Sequence, residues 1–384
     1  MKRPCIWTSL LGWVLAFSIA QPARAQLIKP NDRQEAVEVI RELRRIATPN
    51  GVDRSETLSI GGVDQFVSIR GRDRRNPILL VLHGGPGFPE TPLAWWNTRD
   101  LEEYFIVVHW DQRGSGKTHL LNDARAVAPT MRPERFIADT EELTAWLRRE
   151  LGKDKIFLLG HSWGSYIGLS FAQRRPEWLY AYIGVGQAAN SPESERRGYA
   201  ATREAALRAG DKRAVEELDA IAPYARPDEL FLWPTSRSSR RWSDHFGGVM
   251  AYRQRQTNSV AARLSPDYTD AESARVYDGN SYSQAYLLSA VLGLDLSHVD
   301  RLDCPVILLE GRHDRTVSSE VAYDWFQKLR APQKHFVWFE HSGHEVMTEE
   351  PAKVLVSLLR YARPLAEAAG DAAPDETPAP AVSR

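Results

Sequence analysis

The apolar positions of this 384-residue chain fall into two rhythms. Residues 78–82, 105–109, 156–159, 179–186, 306–310 and 336–339 are apolar at almost every position. A strand that alternates apolar and polar side chains keeps one face in water. A strand without alternation is covered on both faces, as in a parallel sheet sandwiched by helices. Residues 134–151, 165–173, 319–329 and 346–362 carry apolar side chains at helical spacing between or after those runs, where crossover helices belong. Two segments precede the series. Residues 32–46 place Val37, Ile40, Leu43 and Ile46 on one stripe, which predicts an amphipathic helix on the outside of the domain. Residues 56–60 and 65–70 alternate around Gly61-Gly62, the pattern of a β-hairpin. The pattern predicts an α/β fold: a mostly parallel central sheet flanked by helices and preceded by an antiparallel hairpin.

From about residue 190 to 295 the strand rhythm stops, and helical stretches (193–209, 214–221) mix with many Arg, Ser and aromatic residues. This segment reads as a helical cap inserted into the sheet domain. The expected division is residues 26–189 and 297–366 for the two parts of the sheet domain, 190–296 for the cap, and an Ala/Pro-rich disordered tail over 367–384. At the other end, Lys2 and Arg3 precede an apolar run over 10–20 and the small-x-small site Ala23-Arg24-Ala25. Residues 1–25 read as a signal peptide, with an uncleaved anchor as the alternative; the apolar run is short for a membrane span. Export to the periplasm or beyond follows, with no stable membrane association after cleavage. Cys5 leaves with the signal and Cys304 remains alone, so no intrachain disulfide can form; before Pro305 and a buried strand, it reads as a small core residue. A net charge of −1 gives no sign of a nucleic-acid surface.

Candidate chemistry concentrates at the strand ends. Gly160-His161-Ser162-Trp163-Gly164 lies between a strand and a helix, the context of a nucleophile elbow, which lifts the Ser162 hydroxyl clear of the sheet. A serine hydroxyl needs a neutral imidazole to take its proton and a carboxylate to orient that imidazole. Asp314 follows the strand at 306–310. His344, in His341-Ser342-Gly343-His344, follows the last strand. The order Ser162, Asp314, His344 is that of an α/β-hydrolase triad. His341 is the other candidate base, but Gly343 gives the loop freedom to aim the residue after it, which favours His344. His83-Gly84-Gly85-Pro86-Gly87 follows the first parallel strand, so the Gly85 and Trp163 N–H groups are the expected oxyanion hole. Gly114-Ser115-Gly116-Lys117-Thr118 lacks the first glycine of a phosphate loop, and no dinucleotide fingerprint or metal cluster is present, so no cofactor and no metal are expected.

The stretches His83 to Gly87, Asp111-Gln112-Arg113-Gly114-Ser115-Gly116 and Gly160 to Gly164, with Gly311 to Asp314 and Gly343-His344 behind them, resemble the proline iminopeptidase branch of the α/β-hydrolases. The resemblance covers roughly residues 55–187 and 300–362. It implies a serine exopeptidase that removes an N-terminal residue, usually proline, with a helical cap above the triad. Asp111 and Arg113 are expected to pair and brace the loop beside the site. The family's ammonium-binding Glu, which follows a Trp in the cap, has no counterpart: Trp233 precedes Pro234 and Trp242 precedes Ser243. Glu193, Glu195, Glu204, Glu229 and Glu272 are the substitutes considered. Trp95, Trp96, Trp233 and Trp242 are either pocket walls or, taken singly, ordinary packing residues.

The expectation is therefore a serine hydrolase of the proline iminopeptidase type acting on a small peptide. An esterase, lactonase or amidase acting on small uncharged esters or amides is the alternative, and a non-catalytic binding protein of the same fold a more distant one. Epoxide hydrolase and dehalogenase chemistry is disfavoured, because those relatives carry aspartate where Ser162 stands. The sequence leaves the oligomeric state open.

Overall fold

A computed structural model describes residues 33–225, 233–253 and 256–374; the expected signal peptide over residues 1–25 and the last ten residues of the chain lie outside that range. Eight strands form one sheet: β1 (Val52–Ile60), β2 (Val63–Gly71), β3 (Ile78–Leu82), β4 (Ile106–Trp110), β5 (Ile156–His161), β6 (Leu179–Val185), β7 (Val306–Gly311) and β8 (Lys334–Phe339). Their order is β1-β2-β4-β3-β5-β6-β7-β8. β1 and β2 are the expected hairpin, β2 runs antiparallel to β4, and β4 through β8 are parallel.

The unbroken apolar runs are explained by the two faces of this sheet. Ile78, Leu80 and Leu82 point to one face with Phe136, Leu143 and Leu147 of the helix Pro133–Leu151 and Ile167 and Phe171 of the helix Trp163–Arg174. Leu79 and Val81 point to the other with Val354 and Leu358 of the helix Pro351–Tyr361. Each such side chain contributes roughly 1.5–3 kcal/mol on leaving water, so β3, buried on both faces, has no position left for a polar residue.

Between β6 and β7 the chain leaves the sheet for the cap, which includes the helices Ser191–Ala209, Lys212–Asp219, Trp233–His245, Gln256–Arg263 and Asp278–Leu292. Its two ends are tied together. Ser191 N–H donates to Leu294 O and Leu296 N–H to Ala189 O, both at 2.8 Å, on either side of a bridge between Asn190 and Asp295.

Four expectations are corrected. The first helix ends at Leu43, which is 68% exposed, while Arg44 turns inward to Glu102 (3.0 Å) and Asp267 (2.9 Å); paired charges replace the last apolar contact of the stripe. The helix expected over 346–362 is two, Val346–Glu349 and Pro351–Tyr361, because a residue before proline is pushed out of helical geometry, as the Glu350 φ of −131° and ψ of 55° record. The segment from 367 to 374, expected to be disordered, is held: the Tyr180 hydroxyl donates to Asp371 at 3.1 Å, Lys153 pairs with Asp371, and Ala373 N–H donates to Asn76 at 3.2 Å. Finally, Asp111 and Arg113 do not pair. Arg113 forms a fully buried pair with Asp139 (3.0 Å), and Asp111 accepts from Thr91 (2.6 Å), Tyr268 and Lys117 N–H (2.8 Å). Asp111 thereby ties the loop to the cap through Tyr268.

Candidate active site

Strand β5 ends at His161 and the next helix begins at Trp163, so Ser162 makes the whole turn. Its φ of 55° and ψ of −115° lie outside the regions open to ordinary side chains, a strain of order 1–3 kcal/mol that the surroundings must hold. Ser162 N–H donates to Val185 O at 2.9 Å, and its carbonyl accepts from Ser165 N–H (2.9 Å) and Ser165 Oγ (2.6 Å). A Cβ on Gly164 would lie 2.0 Å from Leu82 O. Only glycine lets the helix come so close to β3.

The other two members of the expected triad come together. Asp314 follows β7 and is buried; its Oδ1 accepts from Thr316 N–H (2.8 Å) and Val317 N–H (2.9 Å), and its Oδ2 lies 2.6 Å from His344 Nδ1. The carboxylate is thus fixed by the backbone on one oxygen and fixes the imidazole with the other. A proton on Nδ1 leaves Nε2 able to accept one. His341, by contrast, is exposed against the Tyr252 ring. Ser162 and His344 line one cavity of about 450 Å³. Among the described residues no hydrogen bond joins them, a gap that free enzymes commonly close when substrate arrives.

Gly85, Ser162 and Trp163 share a smaller lobe of about 30 Å³, walled by Tyr166, Val291 and Leu292. Neither the Gly85 nor the Trp163 N–H has an acceptor among the described residues. Trp163 opens its helix, where N–H groups have no intrahelical partner. Two free donors beside a serine are suited to an oxyanion.

The wall of the larger cavity holds residues that the sequence reading passed over: Arg240, Asp244, Asn258, Asn280, Gln284 and Glu345. Glu345 was legible as the neighbour of His344, and Asp244 as the residue two past Trp242. Of the acids considered, Glu193 pairs with Arg196 and Arg197, Glu204 with Arg208, and Glu272 closes a capping box with Thr269. Glu195 reaches the smaller lobe but is taken by Arg240 and Tyr224. Glu229 and the Trp233 side chain lie outside the described residues. Trp95 donates to Ala261 O (2.9 Å), Trp96 is partly exposed, and Trp242 packs within the cap; none of these three lines the cavity.

Under Ser162 lies a buried polar layer. His161 Nδ1 is 2.9 Å from Glu90 Oε1, and Nε2 is 3.2 Å from His344 O. Burial by itself would depress this imidazole, but the bond to Glu90 and the charges of Glu345 and Glu90 raise it to about 9. His83 is pushed by burial down to about 4, and Gln112 N–H donates to its Nε2 at 3.1 Å, which requires the neutral ring. Glu310, at the end of β7, is carried by burial well above the usual carboxylate range. Cys304 is buried, and its thiol is pushed up to about 12. Among the described residues no group of three or more His, Cys, Asp or Glu is arranged to hold a metal ion, and no helix is long and apolar enough to cross a membrane.

Comparison with known proteins adds three findings. The family profile for the alpha/beta hydrolase fold matches residues 77–351. A probable aminopeptidase of Bacillus subtilis, YbaC, is 32% identical over 80% of this chain and 95% of its own length, and epoxide hydrolase 3 of Xenopus tropicalis is 23% identical over 76% and 72%. Among solved structures, a proline iminopeptidase of Mycobacterium smegmatis superposes with a TM-score of 0.60 at 19% identity, covering 82% of this chain and all of that one.

Proposed function

This chain belongs to the alpha/beta hydrolase fold family, and on that premise we propose that it is a serine hydrolase working through an acyl-enzyme, an aminopeptidase that releases an N-terminal residue. His344 Nε2 takes the proton as Ser162 Oγ attacks the scissile carbonyl. Asp314 holds the imidazole and balances the imidazolium that forms. The Gly85 and Trp163 N–H groups receive the oxyanion, each such donor typically contributing about 2.7–4 kcal/mol to the transition state. His344 returns the proton to the leaving amine, the C–N bond breaks, and water resolves the Ser162 ester by the same steps in reverse.

The observation that carries the aminopeptidase assignment is the pair of carboxylates, Asp244 and Glu345, in the wall of the cavity that contains Ser162 and His344. A substrate with a free ammonium group finds counter-charge there. A relative named as a probable aminopeptidase supports the same reading. Epoxide opening in this fold would need a carboxylate nucleophile where the chain has Ser162. The charged N-terminus, apolar run and Ala23-Arg24-Ala25 support action after export, in the periplasm or outside the cell.

The test compares prolyl and alanyl arylamides with a free N-terminus, their N-acetylated forms, and short-chain aryl esters. Turnover confined to the free amines is expected. Asp244→Asn and Glu345→Gln should each raise KM for those substrates roughly tenfold or more, the usual loss for a charged hydrogen bond. Ester cleavage indifferent to a free amine would keep the nucleophile and assign the enzyme to the esterase, lactonase or amidase class.

A further inference from the structure

The buried layer beneath Ser162 contains a second histidine–carboxylate pair that the acyl-transfer scheme does not use. Both side chains, His161 and Glu90, are 5% exposed. The two ring nitrogens of His161 face two acceptors, a carboxylate oxygen of Glu90 at 2.9 Å and the main-chain carbonyl of His344 at 3.2 Å. A carbonyl cannot donate. Nε2 therefore carries a proton, and with Glu90 ionised Nδ1 carries the other, which makes the ring an imidazolium. Its plane lies beside that of His344, with ring centroids 4.9 Å apart.

We propose that Glu90 and His161 form a positioning dyad for the catalytic base: His161 holds the His344 main chain against the elbow and presents a fixed positive charge to the His344 ring. It links three strand ends through one ring, since Glu90 lies on the loop after β3, His161 ends β5, and His344 follows β8. The other ionisable groups that face the pair are Glu345, which follows His344, His83 at the end of β3, His109 on β4 and Glu310 on β7. Of these, His83, His109 and Glu310 are driven by burial toward their neutral forms. The fixed charges near the His344 ring are therefore the imidazolium of His161, the carboxylates of Glu90 and Glu345, and Asp314, its hydrogen-bond partner.

The sign of the electrostatic effect follows. A cation beside the His344 ring opposes the positive charge that the ring gains when it takes a proton, so removing His161 eases that gain. Losing the cation should move the acid limb of reactivity to higher pH. Loss of Glu90 removes the carboxylate that keeps the buried His161 ring protonated, so the ring reverts to its neutral form and the cation is lost with it, which acts in the same direction. The inference rests on the serine hydrolase reading but not on the identity of the substrate, so it is best tested with a fluorophosphonate. In that reaction Ser162 Oγ forms a bond to phosphorus, the P–F bond breaks, fluoride leaves and His344 takes the proton.

Labelling rates of the full-length mature protein would be measured from pH 5 to 9 for the wild type, His161→Gln and Glu90→Gln, with melting temperatures alongside. Glutamine at 161 can still donate to His344 O but carries no charge. Both variants are expected to label roughly tenfold or more slowly near pH 6, with the acid limb displaced upward by about one unit and the plateau at high pH recovered more fully by His161→Gln. A folded variant of either kind with an unmoved acid limb overturns the dyad. If one variant fails to fold, the other decides. A wild-type protein that is not labelled at Ser162 would overturn the serine hydrolase reading instead, so the two failures are distinct.

Discussion

Ser162 occupies a backbone conformation that non-glycine residues avoid, and the hydrogen bonds to Val185 and Ser165 together with the close approach at Gly164 hold it there. The turn hands the hydroxyl to a cavity shared with His344 and turns Trp163 to the smaller lobe that Gly85 also lines. Replacing Ser162 by Ala should therefore abolish turnover of every substrate while the melting temperature stays within a few degrees, because the methyl group keeps the same strained backbone. The two histidines of the last loop make a sharper comparison. His344→Ala should lose about three to four orders of magnitude in kcat, and His341→Ala should stay near wild type, since its ring stands outside the cavity against Tyr252. An inactive His341→Ala beside an active His344→Ala would reverse the assignment of the base.

At the scale of elements, the site is an assembly of strand ends: the loop after β3, the elbow after β5, the turn after β6, and the loops after β7 and β8. The turn after β6 contributes by having no side chain. Gly186 has a φ of +54°, and a Cβ there would lie 2.8 Å from His344 Cε1 and 2.9 Å from His344 Nδ1. Gly186→Ala should push the imidazole off Asp314 and lower kcat by roughly a hundredfold, the cost of about an ångström of misplacement, with KM little changed; wild-type kcat would show that the loop yields. The sheet and this order of chemistry were legible because unbroken apolar runs and strand-end motifs are local signals. The turn at Ser162 and the Asp314–His344 contact could be named that way. The Glu90–His161 contact spans 71 positions, and the residues that face the cavity from the cap, Arg240, Asp244 and Asn258, sit on helices whose charged side chains look alike in sequence whether they meet substrate or solvent. The Asp111–Arg113 pairing failed for the same reason. Neighbours in sequence were given to each other, while the fold sent Arg113 to Asp139 and Asp111 to Tyr268.

For the whole molecule, the buried histidines set how stability responds to pH. His83 and His109 are held by burial at about 4, so the unfolded chain binds more protons than the native one between that value and the ordinary imidazole range near 6.5. Their contribution is present above about 6.5 and is lost as the pH falls toward 4. Asp111, raised by burial to about 6, opposes this, as do Glu310 and Asp139, whose carboxyls burial also raises. His161 runs the other way: raised to about 9, it stabilises fully below about 6.5 and loses that contribution as the pH climbs through 9. The melting temperature should therefore fall as the pH climbs through 9, with that alkaline decline flattened in His161→Gln. A wild-type curve level from pH 4 to 9 would contradict the burial of these charges.

The cap leaves the sheet at Ala189 and returns at Leu296 through two hydrogen bonds and a bridge, so its entry and exit occupy one narrow neck. An excursion gathered at its base in this way can change length without altering the spacing of β6 and β7. Its other ties to the sheet domain, Tyr268 to Asp111 and the Glu345 N–H to Val249 O (3.2 Å) among them, are what a different cap would have to reproduce. Asp244 and Arg240 travel with that cassette, while Glu345 stays with the base.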